Sequence, residues 1–206
     1  SIARQEKVKT QIQENELEIS INESETVIFD PKKIEIQLRN LTYNLSHVSI
    51  TEIMETVTSR IYNKISVTEI ELLILESARE RIEKHFEYSL LAARLAFHSL
   101  YTHILNSSHQ KNDFESLYQG QFKSYIQQGI DLDMLNPQLK EYNLDTLSKA
   151  MKPERDQLFM YLGAQILLDR YLLKDRSVKQ HIYELPQWFW MRVAMGLALQ
   201  EKDKDK

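Results

Sequence analysis

The chain has 206 residues, 42% of them apolar and 27% charged, with four glycines, four prolines, no cysteine and a formal net charge of −4. That length buries a real core in one domain or two small ones, and basic residues dispersed among acidic ones exclude a nucleic-acid-binding face. The lack of cysteine excludes disulfides, thiolate metal sites and thiol catalysis within the chain.

Scarce Gly and Pro favour long helices with short connections. Residues 1–16 are polar helix formers and predict a connecting helix. Leu17, Ile19 and Ile21 alternate with polar residues, a polar turn follows at Asn22–Glu25, and Val27-Ile28-Phe29 completes a β-hairpin signal. Asp30 before Pro31 reads as a helix N-cap with proline at the first position, and Ile34, Leu38, Leu41 and Leu45 continue one apolar face. Ser49-x-x-Glu52 and Ser66-x-x-Glu69 read as capping boxes. The first opens a helix with Ile53, Met54, Val57 and Ile61 inward, the second one with Ile70, Leu73, Ile74 and Ile82 inward. Phe86–Leu105 is a further, strongly apolar helix.

The polar stretch Ser107–Asn112 is the expected domain boundary. Beyond it, Phe114, Leu117, Tyr118, Phe122, Tyr125 and Ile126 mark one helix ending near Gly129. Leu132–Asn143 is loop-like around Pro137, a short helix follows near Asp145–Ala150, Pro153 starts a long helix to about Leu173, and Pro186 starts the last. The alternating charges of Glu201–Lys206 mark a frayed terminus. The fold class is therefore all-α with one small β-hairpin. No apolar run approaches the roughly 20 residues of a membrane span. The N-terminal segment lacks the apolar stretch of a signal peptide, so a cytoplasmic setting is expected.

The residues alone support no active site. None of the six histidines follows an acidic residue by three positions, and no His-Glu-x-x-His occurs, so no metal site is expected. His98 and His103 stand five apart on one apolar helix, a poor spacing for shared ligation. Nucleophile elbows and phosphate-binding glycine loops are absent. Arg155-Asp156 and Asp169-Arg170 read as ion pairs tying helices together. Trp188-Phe189-Trp190 points in several directions from its helix and reads first as core, second as a docking face.

Two stretches resemble one known family. Met151, Arg155-Asp156, Phe159, Tyr161-Leu162-Gly163, Leu168–Leu173, Glu184-Leu185-Pro186-Gln187 and Trp190–Leu197 resemble the segment that leads into the catalytic barrel of class I ribonucleotide reductase large subunits. Residues 19–105, with Leu91-Ala-Ala-Arg-Leu95, resemble the ATP-cone, that family's allosteric nucleotide-binding module. The resemblance implies a connecting helix at 1–16, a cone at 17–106 and the reductase N-terminal helical domain at 113–206.

The same resemblance marks the cone as degenerate. Where the family's hairpin carries Lys-Arg-Asp-Gly, this chain has Ile21-Asn22-Glu23-Ser24, which removes two cations and leaves a carboxylate. The family's Thr and His contacts fall at Val67 and Glu71. Lys33 alone is retained and is the one nucleotide candidate, so no cofactor is expected in this chain, although ATP and dATP regulate the family. With residues 1–16 and no initiator Met, functional cones are expected upstream. The implied partners are a radical-generating small (beta) subunit, a second large subunit in an alpha homodimer, and a downstream catalytic barrel, with neither nucleic acid nor membrane. Catalytic residues are expected to lie outside this chain, which alone should be inactive. The rival expectations are a stand-alone helical interaction module and a nucleotide-sensing regulatory domain.

Overall fold

The hairpin is β1 (Glu18–Ser20) and β2 (Thr26–Ile28), antiparallel with Glu18 opposite Ile28. These elements come from a computed structural model that describes residues 6, 10, 12, 17–22, 25–105, 114–175 and 181–201. The expected connecting helix at 1–16 therefore lies outside the described residues except for Glu6, Thr10 and Ile12, which are helical. Backbone contacts divide the chain into two units, Ser1–Ala96 and Phe97–Lys206. The polar boundary expected at 107–112 falls outside the described residues.

In the first unit the hairpin gains a partner the alternation did not reveal. Strand β3 (Ile65–Ser66) pairs parallel to β1, with Ile19 opposite Ile65, giving the order β2-β1-β3. Two residues are too few to show a period, so only the tertiary pairing defines β3. Helix α1 (Pro31–Leu41) starts as expected, its Asp30 carboxylate accepting from the Lys32 N–H, and buries Ile34 and Leu38. It ends before Leu45: Thr42 caps it, and Asn44 takes a left-handed φ of 61°.

Helices α2 (Ile50–Arg60) and α3 (Val67–Arg79) pack on each other, the first burying Ile53 and Val57 and the second Ile70 and Ile74. Ile61 is also buried, Met54 and Leu73 only partly, and Ile82 lies past the end of α3. Their caps differ. Ser66 and Glu69 form the reciprocal box. Ser49 accepts from the Glu52 N–H, but the Glu52 carboxylate turns to Arg81 and Lys84, at 3.2 and 2.7 Å. Those cations hold its pKa below the usual carboxylate range, Lys84 foremost. Helix α4 (Glu87–Leu105) is apolar on nearly every side and buries Leu91, Ala92, Ala93, Leu95 and Phe97.

In the second unit the single helix expected over 114–129 is two, α5 (Phe114–Gly120) and α6 (Phe122–Asp131). The break falls at Gln121, a turn residue between the two helices. Within the stretch expected to be loop-like, Pro137–Glu141 forms a 3-10 turn, and the expected short helix follows as α7 (Leu144–Ala150). The long helix from Pro153 to Leu173 is not formed. Pro153–Leu158 is a 3-10 turn, Phe159 and Met160 are extended, and α8 (Tyr161–Ile166) runs into a π-turn at Leu167–Tyr171. The extended pair lets the Phe159 ring meet the Phe97 ring edge-on, centroids 5.4 Å apart, a contact that periodicity along one segment cannot announce.

A short ribbon, β4 (Lys174–Asp175) with β5 (His181–Ile182), precedes α9 (Pro186–Leu197). Trp188 and Phe189 are buried, as the core reading expects, while Trp190 is 51% exposed. No helix among the described residues is long and apolar enough to cross a membrane.

Candidate functional site

In the first unit Lys33 sits in the opening turn of α1, its backbone N–H donating to the Asp30 carbonyl at 3.2 Å and its side chain exposed. Val67 and Glu71 lie in the first two turns of α3, Val67 exposed and Glu71 half-buried. Their side chains offer phosphate one methyl pair and one negative charge in place of donors.

The same unit gathers a group that no spacing motif announces. The Glu87 carboxylate, buried at the start of α4, accepts from the His47 backbone N–H at 2.6 Å and lies 3.1 Å from His47 Nδ1. His85 Nδ1 accepts from the Glu87 N–H at 3.3 Å, and the two imidazoles stack with centroids 4.1 Å apart. The His47 N–H bond is the largest influence holding the Glu87 carboxyl below its ordinary pKa. Only His85-Phe86-Glu87 is local in sequence; His47 comes from a loop 40 residues before Glu87, and no helical spacing rule spans that distance.

In the second unit the charges expected to pair behave differently. Asp156 is buried and meets no cation among the described residues: Tyr101 and Tyr118 hydroxyls donate to its Oδ2 at 2.7 and 3.0 Å, and Gln187 Nε2 to its Oδ1 at 2.6 Å. Burial pushes its pKa up to about 6, against the lowering pull of Gln187 and the two tyrosines. Arg155, Asp169 and Arg170 are exposed. At Asp156 the expected tie is thus replaced by hydroxyl and amide donors, which satisfy a carboxylate without burying a second charge, whereas Asp169 and Arg170 lie at the surface and tie no helices through a buried pair.

A buried carboxylate does pair with a cation elsewhere in this unit. Glu184, fully buried before α9, accepts from Arg192 Nε at 2.6 Å, from the Leu173 N–H at 2.9 Å and from the Tyr125 hydroxyl. Burial opposes the Arg192 charge, but the hydrogen bond and charge of Glu184 hold its pKa above the ordinary value. Tyr118 links the two clusters, accepting from the Gln187 N–H at 2.8 Å while its carbonyl accepts from Trp188 Nε1 at 2.9 Å. Every carboxylate oxygen here already has a donor, so the arrangement locks helices together and leaves no base open to a substrate.

The polar clamp uses residues of the Glu-Leu-Pro-Gln stretch, Glu184 and Gln187, and the likeness to known proteins covers that stretch. Residues 157–206 match the family described as ribonucleotide reductase, all-alpha domain. Over 147 residues the chain is 44% identical to the ribonucleoside-diphosphate reductase subunit alpha of Chlamydia muridarum, covering 71% of this chain and 14% of that protein. It is 33% identical over 178 residues to the subunit alpha of Helicobacter pylori strain J99, covering 86% of this chain and 21% of the relative. The large subunit from Variola virus is 34% identical over 178 residues, covering 84% and 22%.

The chain matches the N-terminal region of ribonucleotide reductase large subunits. It spans between 14% and 22% of the length of these three relatives. The reductase resemblance also accounts for the fold class, all-α with a small sheet at one end of the chain. Glu184, Gln187 and Arg192 lie within the matched residues 157–206, and together with Asp156 just before them they form an internal framework of the second unit.

Proposed function

We propose that this chain is the non-catalytic front region of a class I ribonucleoside-diphosphate reductase large subunit. The whole enzyme makes deoxyribonucleotides from ribonucleotides by radical chemistry in the cytoplasm, with a radical-generating small subunit and a second large subunit as partners. The observation that carries the reading is the similarity to proteins of that name over 71% to 86% of the chain. Two features support its non-catalytic part: the absence of cysteine and the closed donor sets around Asp156 and Glu184.

In this reading the second unit is a scaffold on which the catalytic barrel is built, and the first unit is a cone kept for packing. Lys33 alone does not hold a triphosphate, because a nucleotide's phosphates need several cations or N–H donors together. Calorimetry with millimolar ATP or dATP should therefore register no binding; a saturable signal lost on Lys33→Ala would make the cone a working sensor instead. The mass of the native protein, detected in its source cell with an antibody to this chain, tests the reading as a whole. A mass several times 24.4 kDa is expected, whereas a mass near that value would favour a free helical interaction module.

A further inference from the structure

We propose that His47, His85 and Glu87 form a binding site for a zinc-type divalent cation on the first unit. This goes beyond the reductase reading and does not depend on it. One ligand atom from each of the three residues can be chosen so that all lie within 4.8 Å of one another. Two imidazoles and one carboxylate are a ligand set zinc accepts, with the fourth position left to water.

Three features of the group suit a metal. The carboxylate is oriented before any ion arrives: it is buried, and the His47 backbone N–H holds its Oε2 at 2.6 Å. The other oxygen, Oε1, stands 3.1 Å from His47 Nδ1. That is close to the roughly 3.3 Å edge of a tetrahedron with metal–ligand bonds of about 2.0–2.1 Å. The two histidines, finally, have room to adjust, since the His47 side chain is 61% exposed and His85 is half-buried.

Binding changes the local geometry in a defined way. The stacked rings, 21° from parallel, cannot aim both lone pairs at one point. His85 must swing out of the stack, exchanging its 3.3 Å bond from the Glu87 N–H for a bond to the ion. The positive end of α4 opposes a cation, but its charge is about half a unit and the carboxylate's is a full one. Arg94, the nearby cation on α4, is committed to the Leu41 and Tyr43 carbonyls at 2.7 and 2.9 Å. The bound ion would clip the loop before α2 to the start of α4.

The test is a calorimetric titration of zinc chloride into the 206-residue chain at neutral pH, with thermal unfolding alongside. One ion per chain and a rise in Tm with zinc are expected. Losing even an outer partner that orients a metal ligand weakens affinity by about 10–100-fold, so His85→Ala and His47→Gln, which remove ligands themselves, should each weaken it at least tenfold. Both positions are partly open to solvent, and circular dichroism without zinc should match the parent. His103 and His181 are also in ring contact, centroids 4.0 Å apart, and provide the control. Zinc binding that survives both His47→Gln and His85→Ala and disappears in His103→Ala would overturn the proposal. So would the absence of a saturable signal at millimolar zinc.

Discussion

Asp156 shows most directly how a single buried group ties sequence to stability. Its carboxyl is pushed up to about 6 from an ordinary 3.8 by burial, although Gln187, Tyr101 and Tyr118 all donate to it. Between those values the folded chain holds a proton that the unfolded chain releases. The contribution of this group is therefore complete below pH 3.8 and is lost as pH rises through about 6. Two pH units correspond to about 3 kcal/mol. The carboxamide introduced by Asp156→Asn cannot ionise, and its oxygen can still accept from both tyrosines once Gln187 turns its own amide. We expect the stability difference between Asp156→Asn and the parent to change by a few kcal/mol between pH 4 and 7, in favour of the variant at the higher pH. Glu52, Glu69 and Glu87, whose pKa values are lowered, slope the other way and cancel in the comparison. Urea unfolding of both proteins across that range decides it, and parallel curves would remove Asp156 as the titrating group.

At the scale of elements, close packing sets the sign of a substitution that helix propensity alone gets wrong. Alanine normally improves on glycine within a helix by about 1 kcal/mol. At Gly129 in α6, a Cβ would stand 2.5 Å from Leu135 Cδ1 and 2.7 Å from its Cγ. Leu135 is itself buried, and the Gly129 carbonyl accepts its N–H at 3.0 Å. Gly129→Ala should destabilise by roughly 1–2 kcal/mol, since overpacking outweighs the propensity gain. Gly120→Ala, where nothing lies within 4 Å of the added Cβ, should be neutral or mildly stabilising; chemical denaturation of the pair checks the contrast. What was legible in the sequence follows the same division. Helix starts at Asp30, Ser49 and Ser66 were readable because caps act within three residues, and the start at Pro186 because proline suits a first helical position. The break at Phe159-Met160, strand β3 and the exit of Glu52 from its capping box were not, because each depends on a distant partner: Phe97, β1, or Arg81 with Lys84. The candidate sites divide likewise. Lys33 was named only through the resemblance to the ATP-cone, whereas the Glu184–Arg192 pair and the His47–His85–Glu87 group exist only once the chain is folded.

For the molecule as a whole, the consequential surface is the apolar face of the second unit. Trp190 is 51% exposed and lines one shallow depression with Leu158 and Met160, which are 77% and 50% exposed. Leu197, seven residues along α9 from Trp190 and 81% exposed, continues the same helix face, because seven residues are nearly two full turns. Exposed large apolar side chains grouped in this way, beside Arg155 and Gln187 at the depression, are uncommon on a soluble monomer and point to a surface that a partner covers. In the proposed reductase the cover would be the catalytic barrel. The chain by itself should then self-associate through this face as its concentration rises. Association would move Trp190 out of water and shift its emission to the blue, while Trp188, 1% exposed and already bonded to the Tyr118 carbonyl, contributes a constant background. Leu158→Lys places a charge at the depression without touching the core. It should keep the chain monomeric in sedimentation at concentrations where the parent associates, with unfolding midpoints of the dilute proteins nearly equal. If the parent stays monomeric at high concentration and Trp190 emission is constant, the face has no need of a cover, and the scaffold role loses its physical support.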